Sequence, residues 1–87
     1  MEFEFDHQKS ESNKRKHGID FIEVQLLLED PDLIEIPART EDETRFLVVG
    51  RIRETHWSGI ITYRGDRVRI ISVRCSRKKE IEIYESE

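Results

Sequence analysis

The sequence predicts an α+β fold: two N-terminal helices, an antiparallel sheet of three to four strands and one C-terminal helix. Two observations carry this. The first thirty residues hold helix caps and one apolar stripe at helical spacing, whereas residues 33 to 75 hold runs rich in branched and aromatic side chains broken by short turns. A third observation bounds the size, since 87 residues suit one domain, here spanning residues 1–87, with one modest core.

Asp6 is a good N-cap for HQKSESNKRKH, and Gly18 sits where a left-handed C-terminal cap falls. Asp20 precedes FIEVQLLLE with Glu23 three positions on, a capping box, and Phe21, Val24, Leu27 and Leu28 form the stripe of a second helix. That helix should end near Glu29, because Asp30 precedes Pro31 and a residue before proline leaves the α region. LIEI reads as a short edge strand and Pro37 to Glu43 as a polar loop. RFLVVGRI, HWSGIITY and RVRIISVR are the secure strands, joined by turns at Arg53 to Thr55 and at Arg64 to Asp66. The Arg-Gly-Asp triplet of the second turn is an integrin-type string, but here it reads as a hairpin in which Gly65 takes positive φ. Ser76 can cap a last helix, RKKEIEIYES, with Ile81 and Tyr84 on one side.

Alternation in the third secure strand puts Val68, Ile70 and Ser72 on one face and Arg67, Arg69, Ile71 and Val73 on the other, so one face should mix core and site. Trp57 and Tyr63 share parity with Ile61 and read as core, with base stacking the alternative. Cys75 is the only cysteine, which excludes an internal disulfide and favours simple packing. His7 and His56 form no metal constellation, and no cofactor or metal is expected. The acidic start MEFEFD lacks the features of a secretory signal and no apolar run could span a bilayer, so a cytoplasmic protein that does not engage membranes is expected.

Charge is distributed unevenly. Arg51 to Lys79 holds nine Lys/Arg and two Asp/Glu, a net +7, while the whole chain is −4. A cationic strip on an acidic molecule is a footprint for a polyanion, and nucleic acid is the first partner to consider. The first helix has no large apolar residue; Lys9, Asn13 and Lys16 share one stripe, either a solvated face or part of an anion-binding surface.

These residues resemble a known family. FEFDHQKSESNKRKHGIDF, the pair Glu43 and Arg45, and RVRIISVRCSRKKEIEIY are similar to the BrnT toxins of bacterial type II toxin–antitoxin systems, the match running in order over almost the whole chain. Phe5 stands where the family often has Trp, Val73 where it has Ala, and Ser76 where Ala is common. The resemblance implies a RelE-like ribonuclease fold, inhibition of translation through RNA cleavage, and neutralisation by a BrnA-like ribbon-helix-helix antitoxin that carries the complex to promoter DNA. RNA would be met free or on the ribosome.

Metal-free RNA cleavage needs a base for the 2′-hydroxyl, a cation for the phosphate and an acid for the leaving oxygen. Arginine suits the phosphate because its planar fork makes paired hydrogen bonds and stays charged. Arg64, Arg69 and Arg74 are the candidate phosphate binders, with Arg77, Lys78 and Lys79 adding positive field at a helix start. His17, Glu80 and Tyr84 are the candidate proton carriers, and Lys16 could serve if desolvated. Each has a plain structural alternative: His17 as a helix C-terminal cap, Glu80 as an ion-pair partner, Tyr84 as core. The same arginines would also serve a non-catalytic binding module acting with an antitoxin as corepressor. Leu33, Ile34 and Ile36 on the edge strand are the candidate antitoxin contact.

Overall fold

The computed structural model describes residues 2–38 and 43–86. Asp6 and Gly18 bound helix α1 (His7–His17) as their chemistry dictates. The Asp6 carboxylate accepts from the N–H groups of Gln8 at 2.8 Å and Lys9 at 3.2 Å, and Gly18 turns the chain out at φ +82°. The capping box forms too, with Glu23 accepting from the Asp20 N–H at 3.0 Å and Asp20 from the Glu23 N–H at 2.8 Å.

The segment after the box corrects the expectation of a second α-helix, because Glu23–Glu29 is a 3-10 helix. Phe21, Val24 and Leu27 are the residues buried there, at 1%, 2% and 0% exposure, and their spacing of three matches the 3-10 period. Leu28 is only half-buried, and Ile22 and Leu26 face solvent.

The sheet also differs from the expectation, having, among the described residues, five strands of mixed direction rather than three or four antiparallel ones. Strands β1 (Glu2–Glu4), β2 (Ile34–Ala38), β3 (Arg45–Ile52), β4 (Thr55–Arg64) and β5 (Arg67–Cys75) lie in the order β1-β5-β4-β3-β2. β1 runs parallel to β5, and the other pairs are antiparallel. The added strand arises because Glu2, Phe3 and Glu4 alternate polar and apolar, and Phe3 lies level with Val68 against the core. The expected polar loop begins later than Pro37, since β2 runs through Ala38; residues 39–42 of that loop lie outside the described residues.

Both hairpins have two-residue turns. Arg53-Glu54 joins β3 to β4 with Arg53 at φ +57°, and Gly65-Asp66 joins β4 to β5 with Gly65 at φ +62°. A Cβ on Gly65 would meet nothing within 4 Å, so Gly65→Ala is resisted by backbone strain alone. We expect it to lower unfolding free energy by about 1 kcal/mol in urea denaturation without changing the fold.

Helix α1 and the 3-10 helix cover one sheet face, where Ile19, Phe21, Val24, Leu27, Val48, Ile61, Val68, Ile70 and Val73 form the core. Helix α1 contributes no large apolar side chain and is held by polar contacts instead. Ser10 Oγ accepts from the Phe21 N–H at 2.9 Å, while buried Asn13 donates to the Ile19 carbonyl at 2.9 Å and accepts from the Val73 N–H at 3.2 Å. Helix α2 (Lys78–Glu85) lies over the opposite face, bonded to buried Ser58. It starts after Arg77 rather than after Ser76, whose hydroxyl is engaged by Ser58 at 2.7 Å. Cys75 is exposed rather than packed; Trp57 is half-buried against the core, but Tyr63 at 45% exposure is not a core residue.

Candidate functional site

A β-bulge builds the site. Ile60 of β4 pairs with Ser72 and its neighbour Ile61 pairs with Ile70, which leaves Ile71 as an extra residue on β5. Strict alternation would divide Arg69 and Arg74 between opposite faces, since they are five residues apart. The extra residue reverses the parity, so Val68, Ile70 and Val73 all point into the core while Arg69, Ser72 and Arg74 share the other face. This corrects the simple alternation read from the strand, which grouped Ser72 with the core residues and Val73 with the arginines.

Arg74 is held at one end of that face. Its Nη1 and Nη2 each donate to the Glu80 carboxylate at 2.8 Å, and Nη1 also donates to the Cys75 carbonyl at 3.1 Å. Glu80 in turn accepts from Ser58 Oγ and from the Arg77 N–H, both at 2.8 Å. These bonds use the end of the guanidinium fork. Of its five donors the Nε–H and the second Nη2–H are left uncommitted among the described residues, and these two are parallel and adjacent, the geometry that grips two oxygens of one phosphate.

Glu80 is held as the ion-pair partner of Arg74. The Arg74 hydrogen bonds, against the opposing effect of burial and with help from the Arg77 N–H and Ser58, hold its carboxyl at about 2. Because folding lowers this value from 4.5, the pair stabilises the protein fully above about pH 4.5 and loses that contribution as pH falls toward 2. The linked energy is no more than about 3 kcal/mol, since the Arg74 side chain is 32% exposed. In acid denaturation followed by circular dichroism, Glu80→Gln should flatten the stability change between pH 4.5 and 2 relative to wild type; an unchanged slope would show that the pair does not drive it.

Across from Arg74 stands His17, brought over the β5 edge by the C-terminal end of α1. Both line one cavity of about 110 Å³, with Leu47 and Ile60 as apolar neighbours and Ser58, Ser72 and Val73 completing the wall. Neither Ser58 nor Ser72 stands out in the sequence. Ser58 gives no sign in its strand pattern, and Ser72 is concealed by the bulge.

Arg64 and Arg69 form a separate group with Arg67. The Glu4 carboxylate lies between them, 3.7 Å from Arg64, 3.6 Å from Arg67 and 3.6 Å from Arg69. Glu2 approaches Arg67 at 3.7 Å, and Glu43 approaches Arg64 at 3.8 Å and Arg45 at 3.6 Å. The basic strip of the sequence is therefore partly neutralised in space by carboxylates from distant segments.

The other candidates scatter. Lys9 and Lys16 are exposed on α1, and Arg77, Lys78 and Lys79 lie at the start of α2; none lines the cavity. Asn13 is buried with both amide ends engaged, apart from the exposed lysines of its stripe. Tyr84 is buried, and its hydroxyl donates to Asp30 at 2.6 Å, a bond that with burial pushes it up to about 12. Its ring meets His56 edge-on at 5.3 Å, and His56 Nε2 bonds Glu85 at 2.8 Å. The groove beside Tyr84, about 570 Å³, is wider than the His17 cavity, but it carries Asp32, Glu35 and Glu85 against Arg51 alone, the wrong sign for a polyanion.

A small mixed-sheet domain with Arg64, Arg67, Arg69 and Arg74 on one sheet face has the local charge to meet a polyanion. The family model for BrnT, the ribonuclease toxin of type II toxin–antitoxin systems, matches residues 5–80, and the chain belongs to that family. No curated protein matches the sequence significantly. Family membership makes the chain a ribonuclease toxin and implies an antitoxin partner. No helix among the described residues is long and apolar enough to cross a membrane.

Proposed function

We propose that this toxin cleaves RNA without a metal ion, by attack of a 2′-hydroxyl on the adjacent phosphodiester, and that inhibition of translation results. The observation that carries this reading is that His17 and Arg74 line one cavity. His17 accepts the 2′-hydroxyl proton as general base, and the free edge of Arg74 binds the phosphate as negative charge builds on it. Water at the cavity mouth protonates the leaving 5′ oxygen. Glu80 is a positioning residue: by holding the end of the Arg74 fork it aims the free edge. Tyr84 serves the interior rather than the chemistry, since its hydroxyl is bound to Asp30. Arg64 and Arg69 bind phosphates further along the strand, and Lys9, Lys16, Arg77, Lys78 and Lys79 add a sequence-independent attraction from the rim.

A BrnA-like ribbon-helix-helix antitoxin is the proposed neutralising partner. Leu33 packs inward beside Leu27 and Gly50, which leaves Ile34 and Ile36 as the edge-strand contacts open to it.

The test uses purified toxin free of antitoxin, single-stranded RNA and a chelator. Fragments ending in 2′,3′-cyclic phosphate are expected. Intact RNA together with salt-sensitive binding would replace the nuclease reading with that of a non-catalytic module.

A further inference from the structure

The two sets of arginine–carboxylate contacts differ in kind. Arg74 and Glu80 meet through two hydrogen bonds of 2.8 Å, with the Glu80 side chain only 14% exposed. The contacts around Glu4 are all 3.6 to 3.7 Å, beyond hydrogen-bonding distance; the side chains of Arg64 and Arg67 are more than half exposed, and those of Arg69 and Glu4 are partly so. A tight, shielded pair is a fixed part of the fold. A loose, wetted one contributes little to stability and exchanges readily for another anion.

Glu4 is the one carboxylate that these three guanidinium groups share, with Glu2 also near Arg67 and Glu43 near Arg64, and none of these contacts is within hydrogen-bonding distance. Each presents a planar fork able to take two oxygens, and Glu4 satisfies none of them by a direct hydrogen bond. The strand that carries Glu4 is three residues long and lies at the sheet edge, bonded to β5 on one side only. Level with Arg69 across the sheet stand Thr62 and Arg45, so the cluster opens onto the same face as the cavity.

We propose that Arg64, Arg67 and Arg69 form a second phosphate subsite for the RNA strand, and that the Glu4 carboxylate is its resident anion, displaced when RNA binds. This rests on the nuclease reading and extends it along the strand. Arg69 and Arg74 are separated by roughly 15 Å of β5, so a strand with its scissile phosphate at Arg74 meets the cluster with a phosphate further along. Glu4 thus sets a length threshold: short RNA reaches only the His17 cavity, and longer RNA must compete with a tethered carboxylate. Arg67 and Glu4 become affinity determinants that act away from the bond being cut.

The experiment measures fluorescence anisotropy with two uncleavable 2′-O-methyl RNA probes, a trinucleotide and an octanucleotide, on wild type, Glu4→Gln and Arg67→Ala. Glu4→Gln should tighten octanucleotide binding about 3- to 10-fold and steepen its salt dependence. Arg67→Ala should weaken it by a similar factor, and neither should alter the trinucleotide. Unchanged or weaker octanucleotide binding by a folded Glu4→Gln, or equal shifts on both probes, overturns the proposal. If Glu4→Gln loosens β1, seen as a lowered melting temperature, Arg67→Ala decides alone, because Arg67 lies at a hairpin end and is 55% exposed. Cleavage of the matching 2′-hydroxyl octanucleotide is assayed in parallel. Length-dependent binding without cleavage leaves the subsite standing and defeats the nuclease reading, whereas cleavage with length-independent binding does the reverse.

Discussion

Arg74→Ala should lower the rate of RNA cleavage by about 10²- to 10³-fold, the usual cost of removing one donor group from a charge-stabilising site. This substitution also strands the Glu80 carboxylate, which Arg74 bonds twice, so Arg74→Lys is measured beside it. An ammonium still neutralises Glu80 but has no parallel pair of N–H groups to offer a phosphate, so melting temperature should be largely retained while cleavage stays depressed. His17→Ala should cost about 10²- to 10⁴-fold. Single-turnover cleavage of a defined RNA measures all three. If Arg74→Lys cleaves at the wild-type rate, the free guanidinium edge is not what binds the phosphate.

Asn13→Ala should be among the most destabilising single changes in the chain, by about 2 to 5 kcal/mol. The side chain is buried and satisfies two backbone groups at once, the Ile19 carbonyl and the Val73 N–H. Truncation leaves both unpaired in the interior, in a helix with no large apolar side chain to hold it otherwise. Asn13→Asp keeps an acceptor for Val73 but loses the donor to Ile19, so it too should destabilise, and more strongly at neutral pH, where its charge is unpaired. Urea denaturation at pH 7 reads the loss. A change under about 1 kcal/mol for Asn13→Ala would mean that α1 is anchored elsewhere. Because α1 carries His17 to the cavity, any Asn13 variant that stays folded should also cleave RNA more slowly.

Local features of this fold are legible one residue at a time. Asp6 and Gly18 stop α1 at both ends because capping needs only neighbouring N–H groups and one permissive φ, and the Asp20–Glu23 box forms for the same reason. The Gly65 hairpin is similarly local. The 3-10 helix is not legible as such, because a stripe three residues apart fits both helical periods over so short a segment. β1 escapes a sequence reading although Glu2, Phe3 and Glu4 alternate, since three residues become a strand only when a partner lies alongside.

The candidate site is legible in its residue types but not in its arrangement. Arg74 and Glu80 are six residues apart and meet only because α2 folds back over β4. Lys9, Asn13 and Lys16 share a stripe on paper, yet the middle one is turned inward to bond the Val73 N–H of β5.

From sequence alone come the caps, the hairpins, the β-rich second half and the concentration of arginine there, all consequences of neighbours along the chain. Tertiary structure decides which of those arginines share a face. The Ile71 bulge is created by the pairing of β5 with β4, and one unpaired residue reverses the parity of everything after it, turning Val73 into the core and Arg74 out toward His17.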